Sequence, residues 1–424
     1  MRNSSKLIWF SHFIPYPPRG GSFQRSFHLL RHVARDYEVH LVAFNMHAAS
    51  PEQLEEYGRE LGKFCARVEF WEPSVAWRSV EWWVRLAFSP FSHAPYSCLS
   101  LWSGSLEERW KQLLRATEPE LVHVDSIDLG LYFLEPSACR MVLNHHNCES
   151  AMMFRRAQQE ENPLARLYLR GQAGKLQRLE QALCPRFHVN VAVSEQDRRH
   201  LLSLAPGAHI HVVENGTDTE YFAPVPGAEE PDSLVFAGSL DWYPNVSGLE
   251  FFISQVWPLL KQRRPQLRLY LAGREPSYSL VRRAERDPAI TVVPNPEDIR
   301  PWVARGAVFI CPLLDGGGTR LKILDALAMG KAVVSTTLGC EGLQVTSGES
   351  ILVADDPRDF AGEVQRLLNN PELRIRLGQA GRALVERQYN WSVLGAQLRQ
   401  AYQCAVQPAS CPQPDAAADK AGHS

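Results

Sequence analysis

Two doubly wound α/β domains facing each other across a cleft are what this sequence predicts, and three observations lead there. Apolar runs of strand length alternate with segments of helical period along most of the chain, the pattern of parallel sheets covered by helices. That rhythm is interrupted near the middle by a Pro/Gly/Glu-rich stretch, Pro224–Pro231, which reads as a linker. The length, 424 residues, is too great for one ordinary core and favours two or three. Clefts between domains are favoured ligand sites, so a binding function is expected there.

Composition narrows the class. An apolar content of 45% with 22% charged residues is that of a globular protein in water. The net charge of −2 gives no reason to expect nucleic acid as a partner. The nine cysteines are scattered, with no CxxC pair and no histidine at zinc spacing, which suggests reduced thiols in a cytoplasmic compartment. The apolar run Leu7–Phe10 is too short for a signal peptide, and no apolar window reaches the length of a membrane span.

Taken in order, Lys6–Phe13 is strand-like and is broken by Pro15–Gly21. Ser22 can then cap a helix to about Ala34, with Phe23, Phe27, Leu30 and Val33 inward, before the strand Glu38–Phe44. Glycines at the first crossover, Gly20 and Gly21, lie where doubly wound sheets hold ligands. GxGxxG is absent, so a dinucleotide is disfavoured. Between Trp71 and Trp102 lie five of the eleven tryptophans. Within Ala76–Phe88, Trp77, Val80, Val84, Ala87 and Phe88 share one face, opposite Arg78, Glu81 and Arg85. A helix packed on its own sheet is the preferred reading of that stripe; a helix lying at a membrane surface or lining an apolar groove is the other.

Leu121–Val124 and Arg140–His146 are further strands, the second ending in Asn144-His145-His146-Asn147. Polar residues at a strand end reach a parallel-sheet crevice, although a histidine satisfied by loop backbone is the commoner case. Met152–Arg186 forms one or two covering helices with a solvated charged face, and Phe187–Ser194 a strand. Ser194 then caps the next helix. After strand His209–Val213, Asn215-Gly216 supplies a turn. Leu234–Ala237 restarts a strand, followed by Gly238 and Ser239, a helix to about Gln262 and strand Leu267–Ala272, with Gly273 and Arg274 at its end. Ile290–Pro294 is the next strand.

The chain is organised around Cys311–Gly342. A buried strand, Ala307–Cys311, leads through Gly316, Gly317 and Gly318 into a helix, Thr319–Met329, with Gly330 as its C-cap. Free N–H groups and a positive dipole end make such a turn an anion site, and Arg320 and Lys322 would add charge-assisted bonds. A flexible glycine turn with two solvated cations is the competing reading. Ile351–Ala354 is a last strand and Pro357–Leu368, Pro371–Tyr389 and Trp391–Tyr402 are helices; 405–424, rich in Pro, Ala and Asp, is expected to be disordered.

The phrase GGGTRLKILDALAMGKAVVST resembles the donor-binding segment of family-4 retaining glycosyltransferases, which have the GT-B fold of two Rossmann-like domains. Phrases at 20–21, 194, 215–222 and 316–343 are similar to the family's and stand in its order. GGGTRLK itself resembles a subgroup associated with exopolysaccharide assembly. There are departures: Gly317 stands where the first of two acids is common, with Asp325 in the second place, and Ala332 replaces a proline. On the loop after the 234–237 strand, Ser239 and Asn245 stand where an Arg and a Lys often hold the diphosphate.

The resemblance implies an acceptor-side domain over 1–208, a nucleotide-sugar domain over 209–385, and a helix over 386–404 crossing back to the first. It implies transfer of a hexose-type sugar with retention, with His146 near the transferred sugar and Asp325 on ribose hydroxyls. Arg320, Lys322 and Thr319 would face the diphosphate, together with Gly20, Gly21, Gly238, Ser239, Asn245, Gly316, Gly317 and Gly318, while Glu341, Gly342 and Leu343 close over the donor. The expected partners are a nucleotide sugar and a saccharide or lipid-linked acceptor, with a peripheral contact to the inner face of the cell membrane. With no D-x-D phrase, side-chain cations are expected in place of a metal, and no cofactor beyond the donor. A nucleotide-sugar epimerase, or a non-catalytic donor-binding subunit, is the alternative.

Overall fold

The computed structural model describes residues 5–18, 20–75, 79–135, 139–315 and 320–407. Of these, the residues up to Val213 and those from Gly395 on form one compact unit, and Glu214–Leu394 form the other.

The first unit is built on seven parallel strands: β1 (Lys6–Ser11), β2 (Glu38–Phe44), β3 (Arg67–Trp71), β4 (Leu121–Val124), β5 (Arg140–Asn144), β6 (Val189–Ala192) and β7 (Ile210–Val212). Their order is β3-β2-β1-β4-β5-β6-β7. Leu7, Ile8, Trp9 and Phe10 of β1 are all buried, because helices cover both faces of a parallel sheet and its central strand reads as a continuous apolar run. Leu7 pairs with Val39 on one side and Leu121 on the other. The chain winds outward from β1 in one direction and from β4 in the other, so the crevice at the switch point opens beyond Ser11 and Val124. The unit ends later than residue 208: Asn190 and Ala192 of β6 pair with Ile210 and Val212, which puts β7 in this sheet. From the returning segment, Tyr402 Oη lies 2.8 Å from His123 Nδ1 and Arg399 pairs with Asp36 at 3.1 Å.

The second unit has six parallel strands: β8 (Glu230–Ala237), β9 (Arg268–Gly273), β10 (Ile290–Pro294), β11 (Gly306–Cys311), β12 (Ala332–Ser335) and β13 (Leu352–Val353). Their order is β10-β9-β8-β11-β12-β13, and the switch point lies between β8 and β11. The helix after β8 runs Tyr243–Phe251, widens into a π turn over Phe252–Val256 and continues as Trp257–Arg263. The wide turn precedes Pro258, whose ring and missing N–H a regular ladder does not accommodate. Apolar clusters fill both faces of this sheet, Phe236 and Leu271 on one, Val235 and Phe309 on the other.

Three local expectations are corrected. The first helix, Gly21–Val33, begins one residue before Ser22, and Gly20, at φ +101°, stands at its N-cap in a conformation that serine would strain. The helix expected over 76–88 is Val80–Phe88 among the described residues, capped by Ser79, and none of its residues is buried, so it is not packed on the sheet. The helix expected from Thr319 is seen as Leu321–Ala328, with Gly330 in the left-handed conformation just past its end. Residues 316–319 and the tail from 408 lie outside the described residues. Among the described residues, no helix is long and apolar enough to cross a membrane.

Candidate active site

Each sheet brings polar side chains to its own switch point. In the first unit they converge on Asp125, the residue after β4. Its Oδ2 accepts from Ser26 Oγ at 2.6 Å and from Ser11 Oγ at 3.2 Å, and its Oδ1 from Asn144 Nδ2 at 2.8 Å. Arg25 extends the network, donating to Asn144 Oδ1 at 2.9 Å and to the Val213 carbonyl at 2.8 Å. Burial alone would raise the Asp125 carboxyl, but His146 and His123 beside it outweigh that and hold it well below the usual carboxylate range. A charge this deeply buried persists only when paired and hydrogen-bonded on all sides. Because Arg25 and Ser26 belong to the second turn of the helix Gly21–Val33, the network fixes the N-terminal part of that helix, which Gly20 and Gly21 begin.

His146 sits in this crevice. Its Nε2–H donates to the Asp125 carbonyl at 2.9 Å and lies 3.4 Å from Asp125 Oδ1, which fixes the ring. His145 points into the core instead, 3.3 Å from Asn190 and 3.9 Å from Cys184 Sγ. Beside His146, at 5.5 Å between ring centres, lies His12, which sequence reasoning passed over. Its Nδ1 is buried and makes no hydrogen bond among the described residues. Burial, reinforced by His146, lowers its pKa to about 4, so it is a neutral imidazole at pH 7. The rule that singled out His146, a polar residue just past a parallel strand, applies equally to His12 after β1.

In the second unit the loop after β8 is the focus. Gly238, at φ +155°, turns the chain, and a Cβ there would lie 3.3 Å from Lys322 Nζ. A Cβ at Gly273 would overlap the Gly238 carbonyl, so a glycine is needed there for the loops after β8 and β9 to touch. Lys322, one residue into the helix Leu321–Ala328, donates to Asn245 Oδ1 and lies 4.6 Å from the centre of the Phe236 ring. Asn245 Nδ2 in turn donates to the Ser239 carbonyl at 2.6 Å. Arg274, at the end of β9, reaches Ser239 Oγ with Nη2 at 3.2 Å. A lysine and an arginine from two other elements thus end at Asn245 and Ser239. Burial, opposed by the Cys311 thiol and reinforced by Arg320, lowers the Lys322 pKa to about 8. No pattern along the sequence pairs residues 77 positions apart, so only the fold reveals this exchange.

The remaining expected residues are placed as follows. Arg320, just before that helix, is buried. Asp325, one turn beyond Lys322, accepts from Thr217 Oγ1 at 2.6 Å, and burial, reinforced by Asp218, raises its pKa to about 7 against that bond. Glu341 and Gly342 are exposed, while Leu343 packs in the apolar cluster with Leu324 and Leu327. Gly316, Gly317, Gly318 and Thr319 lie outside the described residues.

The arrangement can hold an anion over the second sheet and a polar, hydroxyl-bearing group over the first. Residues 19–221 match the family model described as Glycosyltransferase Family 4, and residues 231–370 match Glycosyl transferases group 1. An uncharacterized 44.6 kDa protein in the cps region of Klebsiella pneumoniae is 30% identical over 31% of this chain and 36% of its own length. A phosphatidyl-myo-inositol mannosyltransferase of Mycobacterium tuberculosis is 28% identical over 50% of this chain and 58% of its own, so the chain spans from about a third to somewhat over half the length of these relatives. Among solved structures, Anabaena Alr3699/HepE in complex with UDP superposes with a TM-score of 0.64 at 12% identity, covering 94% of this chain and 99% of that one. With its two parallel-sheet, Rossmann-like units, the chain carries a Family 4 glycosyltransferase domain followed by a group 1 glycosyltransferase domain, in a fold of the GT-B type.

Proposed function

We propose that the chain transfers a hexose-type sugar from a nucleoside diphosphate sugar to a hydroxyl acceptor with retention of configuration. The observation that carries this reading is the meeting of Lys322 with Asn245, and of Arg274 with Ser239, at the switch point of the second sheet. The difficulty of the reaction is negative charge accumulating on the departing diphosphate. Fixed positive groups aimed at it lower the barrier, by about 3 kcal/mol for one well-placed donor. Lys322 and Arg274 supply them here, with Arg320 adding its field from a buried position. Asp325 binds the ribose hydroxyls, and Gly238 lets phosphate oxygens approach the backbone.

His146, held by Asp125, positions the sugar and, with His12, lines the place of the acceptor hydroxyl. Attack occurs on the face the diphosphate leaves, and the leaving phosphate takes the acceptor proton. Neither a metal nor an organic cofactor has a part in this scheme. The acceptor is a saccharide or lipid-linked saccharide, the setting is exopolysaccharide or other glycoconjugate assembly, and the place is the inner face of the cell membrane. The mannosyltransferase and cps-region relatives support that setting.

The test incubates the chain with a panel of uridine and guanosine diphosphate sugars and hydroxyl acceptors, and reads the product's anomeric configuration by NMR. A glycoside of unchanged configuration is expected. Epimerised donor formed without acceptor, donor binding without turnover across the panel, or an inverted product would overturn the proposal.

A further inference from the structure

The helix Val80–Phe88 has an apolar side that no described residue of its own unit buries. Val80 is 81% exposed, Phe88 66% and Phe91 84%, and Leu164 and Leu167 on the helix Pro163–Leu183 are 77% and 70% exposed. These are one surface. Ser89, between Phe88 and Phe91, is fixed to the second helix: its Oγ lies 3.0 Å from Tyr168 Oη, and its carbonyl accepts from Lys175 Nζ at 2.5 Å. Leu164 stands one turn before Tyr168 on the same stripe, next to that anchor.

The surroundings are basic. Between Ser150 and Arg178 the exposed or half-buried charges are Arg155, Arg156, Arg166, Arg170 and Arg178 against Glu160 and Glu161, in a chain whose net charge is −2. Bulky apolar tips bordered by long cationic side chains suit a bilayer interface, where the rings enter the acyl boundary and the guanidinium groups reach lipid phosphates. A second copy of the chain is a poorer fit, since a twofold contact sets the same patch against itself and brings two positive rims together.

We propose that this face docks the chain on an anionic lipid bilayer through Phe88, Phe91, Leu164 and Leu167, with Arg166 and Arg170 binding lipid phosphates. The inference rests on the membrane setting of the proposed transferase and names the surface that makes the contact; its test uses neither donor nor acceptor, so its failure is distinguishable from failure of the transferase reading.

The experiment is co-sedimentation of the full chain with vesicles of phosphatidylcholine, alone or mixed with phosphatidylglycerol. Binding to the mixed vesicles is expected, weakening as salt is added. Phe88→Ser/Phe91→Ser should lower the partition coefficient on the order of tenfold or more. Arg166→Glu/Arg170→Glu should lower it by a similar factor for the mixed vesicles only. Leu164→Ser/Leu167→Ser provides a second apolar test should the first variant fail to fold by circular dichroism. Failure to bind mixed vesicles, or folded apolar variants that pellet like the wild type, would overturn the assignment. So would a wild-type dimer that the apolar variants convert to monomer, which gives the face to a second copy.

Discussion

The pKa of Lys322 makes diphosphate affinity a function of pH in a range where few other groups titrate. In the free protein its ammonium loses its proton at about 8, against an ordinary 10.5, because it is buried. A diphosphate laid beside it favours the charged form. Above pH 7 the diphosphate is already fully ionised, since its last proton leaves near pH 6. If only the ammonium form binds tightly, the apparent Kd scales as one plus the ratio of neutral to charged lysine. It is then nearly unchanged at pH 7, doubled at about pH 8 and raised about tenfold at pH 9. Binding at pH 8 also takes up about half a proton per site.

Titration calorimetry with UDP or GDP from pH 7 to 9, in buffers of different ionisation enthalpy, measures both quantities. Lys322→Gln keeps a donor for Asn245 and removes the charge; its affinity should be about tenfold or more weaker and independent of pH over this range. A wild-type Kd constant within about twofold from pH 7 to 9 would refute the reasoning. So would the same slope in Lys322→Gln.

Other outcomes follow from the same geometry. Arg274→Ala should weaken nucleoside diphosphate binding about fivefold in a salt-dependent way, measured by the same titration; an unchanged Kd returns that arginine to a purely local contact with Ser239. The raised pKa of Asp325, about 7 against 3.8, means the folded state binds its proton more tightly than the unfolded chain does. Stability should therefore fall as pH rises from about 4 to about 7 and level off above, by at most about 4 kcal/mol, and urea unfolding of Asp325→Asn should show a flatter profile. Asp125→Ala leaves Ser11, Ser26 and Asn144 without their common acceptor and should cost about 3 to 5 kcal/mol of stability, seen as a lowered Tm. His146→Ala should reduce kcat/KM about a hundredfold or more while leaving the Kd of the bare diphosphate unchanged, and turnover of the wild type should be insensitive to EDTA.

Sequence and structure divide the information unevenly. Much of the local order is legible along the chain, because a parallel sheet covered on both sides demands apolar runs. Leu7–Phe10 and Ala307–Cys311 announce themselves for that reason. The strand Arg67–Trp71 and the helices Pro51–Leu61 and Gly104–Thr117, rich in charged and polar residues, are not announced that way. Gly20 is legible as a break but not as the N-cap, since a φ of +101° is a property of the turn and not of the residue's neighbours in sequence. The stripe of Val80, Val84 and Phe88 is legible as amphipathic, yet period alone does not say whether its apolar side meets a sheet or the outside; none of the helix's residues is buried.

The sequence by itself determined much of the strand–helix alternation and the polar residues stationed at strand ends. The two units divide at Val213/Glu214, ahead of the Pro224–Pro231 stretch read as a linker, whose last residues Glu230 and Pro231 open β8. Tertiary structure alone decided which of those polar residues meet. Asp125 gathers Ser11, Ser26, Asn144 and His146, and Lys322 arrives at Asn245 across 77 positions, because strand order within each sheet folds distant segments onto that sheet's own switch point. A side chain's charge is written in its chemistry, but the field it feels is set by neighbours the chain brings from elsewhere.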